Sequence, residues 1–82
     1  MMAMLSVRIL TPTGVLFEGE AMSVTLPGAL GSFSVLDRHA PLISALDAGA
    51  VVCKTANGVD KYDAKSGFVK VEDNLISVCL EQ

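Results

Sequence analysis

Tryptophan is absent from this sequence, and its aromatic residues are three Phe and one Tyr, 5% of 82 residues. A core that cannot be built on rings has to be filled by Val, Leu, Ile and Met. Histidine occurs once, at His39, so any acid–base scheme that needs an imidazole must use that residue. Cysteine occurs twice, at Cys53 and Cys79. That is too few for a disulfide framework, and the two are too far apart for a metal knuckle. Both sit in apolar runs (Val51-Val52-Cys53 and Ser77-Val78-Cys79-Leu80), which predicts small buried or half-buried thiols, with a disulfide open to them if their strands pair. The six Lys and Arg residues are scattered, and the net charge is −3, which excludes the basic patch that nucleic-acid binding requires. No apolar run approaches the roughly 18 residues that span a bilayer. Nor does the N-terminus show a charged start with a small-residue cleavage site. These absences describe a chain that is cytosolic, or at most peripheral to a membrane.

What is present is apolar and aliphatic. Hydrophobic residues make up 51% of the chain and charged residues only 18%, a folded rather than a disordered composition. The length predicts one domain over residues 1–82. A chain of this size buries only about 60–65% of its unfolded surface, so its own stability is expected to be modest. With so little polar surface available, part of its apolar complement is expected to face a partner.

Helical periodicity is nearly missing. Short runs of period-two alternation recur instead, cut by Gly, Pro, Asn and Asp every 8–12 residues or so, the pattern of an all-β sandwich or barrel. The runs are Leu5–Leu10, Val15–Glu18, Ala21–Leu26, Ser32–Leu36, Leu42–Leu46, Ala50–Thr55, Lys61–Lys65, Phe68–Glu72 and Leu75–Leu80. They predict a flattened two-sheet fold of nine or ten short strands, with Gly19 as a break and Phe33 and Val35 facing inward. Thr11-Pro12-Thr13-Gly14 reads as a turn with Pro second and Gly fourth. Asn57-Gly58 is the strongest hairpin signal. Ser66-Gly67 and Asp73-Asn74 mark two further turns.

Catalytic chemistry finds no support. His39 lies between Arg38 and Ala40, and no Ser or Cys occupies a Gly-x-Ser-x-Gly elbow. Gly28-Ala29-Leu30-Gly31 is not a phosphate cradle, because it is followed by strand-like Ser32-Phe33-Ser34-Val35 rather than a helix start. The carboxylate pairs Glu18/Glu20, Asp60/Asp63 and Glu72/Asp73 fit solvated strand ends, where charge also discourages unwanted strand pairing. No catalytic residue, metal or cofactor is expected. The readings that remain are an interaction module and, less well supported, a thiol hydrolase using His39 with a cysteine.

Two segments are more specific. One runs Val24-Thr25-Leu26-Pro27-Gly28-Ala29-Leu30-Gly31-Ser32-Phe33-Ser34-Val35-Leu36 and continues into His39-Ala40-Pro41-Leu42-Ile43-Ser44-Ala45-Leu46-Asp47-Ala48-Gly49. The other is Ser66-Gly67-Phe68-Val69-Lys70-Val71, followed by Asp73-Asn74 and a last strand. In this order they resemble the N-terminal β-sandwich domain of the epsilon subunit of F-type ATP synthase, and Leu10-Thr11-Pro12 with Leu16-Phe17-Glu18-Gly19 fits its opening strands. The resemblance implies a non-catalytic central-stalk (rotor) subunit that links the gamma subunit to the membrane c-ring and helps couple proton flow to ATP synthesis. Its place would be peripheral, on the cytoplasmic face of a bacterial inner membrane. An unrelated β-sandwich adaptor is the alternative.

The resemblance also implies site residues. The c-ring contact falls on Pro27, Gly28, Ala29, Leu30, Gly31, Ser32, Phe33 and Ser34. The gamma contact falls on Thr11, His39, Ala40, Pro41, Leu42 and Ser44, with the neighbouring Ile43 in the same stretch. Ser32 stands where an acidic residue is common, so an ion pair with the ring is not expected from it. Asp37-Arg38 stands where Pro-Gly is usual, which implies a turn of different shape and a contact of opposite sign from Arg38. The chain ends two residues past its last strand, before the two C-terminal inhibitory helices of many members. A natural short form is the expectation.

Overall fold

Alternation becomes burial almost residue for residue. Strand β1 (Leu5–Thr11) buries Leu5, Val7 and Ile9 and exposes Ser6 and Arg8. The same parity buries Val69 and Val71 on β8 (Ser66–Glu72) and Ile76, Val78 and Leu80 on β9 (Leu75–Glu81). Successive side chains of a strand point to opposite faces, so each of these runs supplies one wall of a core and one wall of the surface. A computed structural model describes residues 4–82; residues 1–3 of the expected domain lie outside the described residues.

Among the described residues there are nine strands in two sheets. The remaining six are β2 (Gly14–Ala21), β3 (Ser23–Leu26), β4 (Phe33–Val35), β5 (Leu42–Leu46), β6 (Gly49–Thr55) and β7 (Gly58–Ala64). One sheet has the order β2-β1-β9-β8-β5 and the other β4-β3-β6-β7. All pairings are antiparallel except β1 with β9, which run parallel and set the first and last strands side by side. Val24, Leu26, Val35, Val51 and Cys53 of the smaller sheet meet the buried row of the larger one. Each fully buried Val, Leu or Ile is worth about 1.5–3 kcal/mol relative to exposure, so aliphatic side chains alone sustain this core.

The flanks are closed by half-buried side chains. Phe17 of β2 and Tyr62 of β7 approach with ring centroids 6.2 Å apart at 52°, joining the sheets along one side. Along the other, Phe33 and Leu42 pack against the core, and Gly28 bridges Leu46.

Three details depart from the sequence reading. Gly19 is not a break: it pairs with Val7 inside β2, and the chain changes sheet at Met22, whose N–H donates to the Lys54 carbonyl (2.7 Å). The β6–β7 hairpin turns on Ala56-Asn57 rather than Asn57-Gly58, because Thr55 pairs with Gly58. Thr55 accepts from the Asn57 N–H (3.2 Å) and donates to the Gly58 carbonyl (3.2 Å), a side-chain turn that competes with the type I′ preference of Asn-Gly. The β1–β2 hairpin repeats this Thr-x-x-Gly device with Thr11, Thr13 and Gly14. Finally, Cys79 is exposed, not buried or half-buried as expected, because it has the outward parity of β9.

Candidate docking surface

The turn between β3 and β4 is held from below. The Pro27 carbonyl accepts from Asp47 N–H (2.8 Å), and Ala29 N–H donates to the Ala45 carbonyl (3.0 Å). Gly31 N–H donates to the Gly28 carbonyl (3.0 Å), and Gly31 has φ 130°, which a side chain rarely adopts. A Cβ on Gly28 would lie 2.7 Å from the Gly31 carbonyl oxygen and 2.8 Å from the Phe33 ring, so only glycine fits there. This frame lifts Leu30 entirely into solvent (105% exposed), with Ser32 and Gly31 exposed beside it. The hydrogen bonds beneath it fix where this exposed leucine is presented.

The connection after β4 carries the sole imidazole. His39 N–H donates to the Leu36 carbonyl (3.1 Å), and Arg38 has φ 62°. A closed four-residue turn with a left-handed third residue is the type II pattern, the turn that a Pro-Gly pair favours. The expected change of shape at Asp37-Arg38 is therefore not what the backbone adopts. His39 Nδ1 lies 2.7 Å from the Ala40 carbonyl oxygen. A carbonyl can only accept, so Nδ1 carries the proton and Nε2 is left to bond a partner.

These two segments share one depression, of about 470 Å³, lined by Leu30, Ser32 and Phe33 from the turn and by His39, Leu42 and Ser44. Ala40 and Pro41 are exposed at its edge. Thr11 is elsewhere. It lies at the far end of β1 across the five-stranded sheet, and its hydroxyl is engaged within its own turn by Thr13 and Gly14.

What links Thr11 to β5 is the outer face of the five-stranded sheet. The register aligns Val15 with Leu10, Leu10 with Cys79, Cys79 with Phe68, and Phe68 with Ala45. That is one continuous apolar row across all five strands, with Cys79 at its centre and Phe68 beside it, 64% exposed. Leu10, Thr11, Pro12, Phe68 and Cys79 line a groove of about 490 Å³ along it. The next row is Glu18, Arg8, Ser77, Lys70 and Ile43. In it Arg8 pairs with Glu18 at 2.9 Å, and Lys70 bonds Glu72 of the adjoining row at 3.5 Å. An apolar stripe bordered by paired charges is the anatomy of a protein interface. Ile43 is 75% exposed, and it and Ala45 are the outward residues of β5, whereas Leu42 and Ser44 turn toward the depression.

Sequence reasoning missed Leu10, Val15, Ala45, Phe68 and Cys79 as candidates. Parity could have found Phe68, which shares its face with Lys70 and Glu72 rather than with Val69 and Val71. The alignment of the five strands has no local signal.

One thiol lies away from both surfaces, in the core. Cys53 is fully buried, and burial, aided by the negative charge of Asp60 on the paired β7, pushes its thiol from 9.0 up to about 11. Burial and Asp60 also raise Tyr62. Cys53 and Cys79 lie in different sheets and are both free. Among the described residues no group of three His, Cys, Asp or Glu is placed to hold a metal ion, and no helix is long and apolar enough to cross a membrane.

Comparison with known proteins bears on this geometry directly. Residues 4–82 match the family described as ATP synthase, Delta/Epsilon chain, beta-sandwich domain. The chain is 44% identical over 73 residues to the ATP synthase epsilon chain of Sulfurovum sp., covering 88% of this chain and 57% of that one. It thus spans little more than half the length of that relative. A chain in the cryo-EM structure of the Euglena gracilis mitochondrial ATP synthase (OSCP/F1/c-ring, rotational state 1) superposes with a TM-score of 0.90. The identity is 18%, and the match covers 100% of this chain and 53% of that one. A chain in the central stalk/c-ring structure of the Tetrahymena thermophila mitochondrial ATP synthase gives 0.82 at 15% identity, covering 95% and 63%. At such low identity these two establish the fold.

Proposed function

We propose a function from one premise: the chain belongs to the ATP synthase delta/epsilon chain β-sandwich family. Within the synthase it acts as a non-catalytic element of the central stalk, helping to couple ion flow to ATP synthesis. It grips the gamma subunit with the outer face of its five-stranded sheet and with the segment from His39 to Ser44. The braced turn from Pro27 to Ser34 rests on the c-ring. Its location is peripheral, on the cytoplasmic face of a bacterial membrane, reached through these partners.

The observation that carries the reading is the apolar row Val15–Leu10–Cys79–Phe68–Ala45. It joins the otherwise distant Thr11 and β5 into one surface, and its exposed phenylalanine is the type of anchor that dominates binding energy. Mechanics points the same way. A stalk element must deform little under torque, and two sheets sharing an interdigitated core, with rings and a backbone bridge closing the flanks, resist shear better than a loop would. The choice of partners is supported by the two superposed structures, which are of synthase assemblies that include the c-ring and, in one, the central stalk.

Calorimetry of this chain with isolated gamma subunit tests the reading. A saturable one-to-one complex is expected, with a negative heat-capacity change from apolar burial. Absence of binding at concentrations of about 100 μM, weaker than a typical transient complex, removes gamma as the partner.

A further inference from the structure

One side chain outside every segment discussed as a contact holds the His39 turn in place. Arg38 occupies left-handed φ 62°, a conformation that a residue with a Cβ adopts reluctantly. Its N–H donates to Asn74 Oδ1 (2.8 Å), and Asn74 Nδ2 donates to Asp37 Oδ1 (2.5 Å). Asn74 comes from the β8–β9 hairpin, 36 residues away in sequence. There it and Asp73 are themselves left-handed, at φ 60° and 51°, as the two central residues of a type I′ turn require. Asn tolerates that conformation better than most residues. Its amide thus has a fixed direction, set by one turn and spent on another. Arg38 and Asp37 form no comparable brace themselves: their side chains meet only at 3.9 Å, and the Arg38 side chain is 88% exposed.

We propose that Asn74 is a positioning residue for the docking surface. By holding Asp37-Arg38 in a type II turn, it sets the direction in which His39-Ala40-Pro41 leaves β4 and enters β5. This rests on the reading of that segment as part of the gamma-binding surface. Asn74 touches no partner in this scheme. It acts by keeping the turn ordered before binding, so that association does not have to order it.

The test is Asn74→Gly in the full chain. Glycine keeps the positive φ of the hairpin turn and removes both hydrogen bonds. Exchange of the Arg38 amide, followed by NMR in the isolated chain, is expected to quicken while β8 and β9 amides keep their rates. Affinity for gamma is expected to fall about fivefold, the scale of one or two net hydrogen bonds. The distinguishing result is rescue. In a triple variant Asp37→Pro, Arg38→Gly, Asn74→Gly the turn needs no clamp, and affinity should return to within about twofold of wild type. Unchanged Arg38 exchange in Asn74→Gly overturns the clamp. Quickened exchange with unchanged affinity, or failure of the triple variant to recover, overturns its role in docking. If the wild-type chain binds no gamma, the docking reading falls and takes the positioning role with it, whereas the exchange rates still report the clamp by themselves.

Discussion

The two outer faces of the sandwich are built by the same rule and come out opposite in character. On the four-stranded sheet the outward rows are Ser34, Thr25, Val52 and Lys61, then Ser23, Lys54 and Val59, then Ala50 and Asp63. Hydroxyls and charges dominate, and Thr25 and Ser34 bond each other across strands at 2.8 Å. On the five-stranded sheet one outward row is apolar from edge to edge, and Phe68 is its largest side chain. Neither difference is needed for folding, because both sheets bury their inner residues equally well. An exposed apolar row costs solubility and gives no stability to the isolated chain, so it is explained by something that covers it.

The two cysteines break this comparison most sharply, since they are the same residue on opposite sides of the rule. A thiol reagent should modify Cys79 in the native chain at least about 100-fold faster than the buried Cys53, which peptide mass spectrometry can resolve. Bound gamma should protect Cys79. Equal labelling of both residues would contradict the parity assigned to β9.

The pH dependence of stability isolates the buried partner. Cys53 holds its proton more tightly when folded, at about 11 against 9.0, so this contribution is intact below pH 9 and is lost as pH rises through 11. The difference is worth roughly 3 kcal/mol when fully titrated. Urea unfolding at pH 8 and pH 11 should show the drop, and Cys53→Ala should reduce it, the remainder including the raised Tyr62, whereas Cys79→Ser should not.

Phe68→Lys and Val59→Lys sharpen the comparison at similar exposure, 64% and 57%. The first should weaken gamma binding by about 30-fold or more, as removal of an aromatic anchor does. The second should leave binding within about twofold, and both should keep stability within about 0.5 kcal/mol. Equal effects on binding would mean that the five-stranded face is not the one used.

His39→Ala should lower gamma affinity by about three- to tenfold, the loss of one partner hydrogen bond, with an unchanged circular dichroism spectrum. Unaltered affinity would remove His39 from the surface. Smallest of all, Ser32→Glu should leave fold and gamma binding alone and change only the salt dependence of attachment to the c-ring, through a new exposed charge. An identical salt dependence would count against assigning that turn to the ring.

How much of this was legible in the chain differs between elements. Alternation in Leu5–Leu10 and Phe68–Glu72 is enough to say which residues are inside, whereas in Leu75–Leu80 the apolar outward residues Leu75 and Cys79 blur it, and Cys79 was misread. The Gly28 and Gly31 turn was legible from local residues too. Gly19 misled, since glycine can break a strand or sit within one, and only pairing with Val7 decides. Asn57-Gly58 misled because the Thr55 hydroxyl offers a competing turn one residue earlier. Asp37-Arg38 looked like a different turn, and a side chain from another hairpin imposes the ordinary one.

The sequence by itself determined inside and outside, through period-two alternation and turn residues whose effects reach only a few positions. It also determined kinship, through a string of specific residues. The tertiary structure alone decided which outward residues stand beside one another. The apolar row exists because β9 returns to lie parallel to β1, some 70 residues apart. That pairing is selected by the joint packing of two sheets around one core, which no local run of residues encodes.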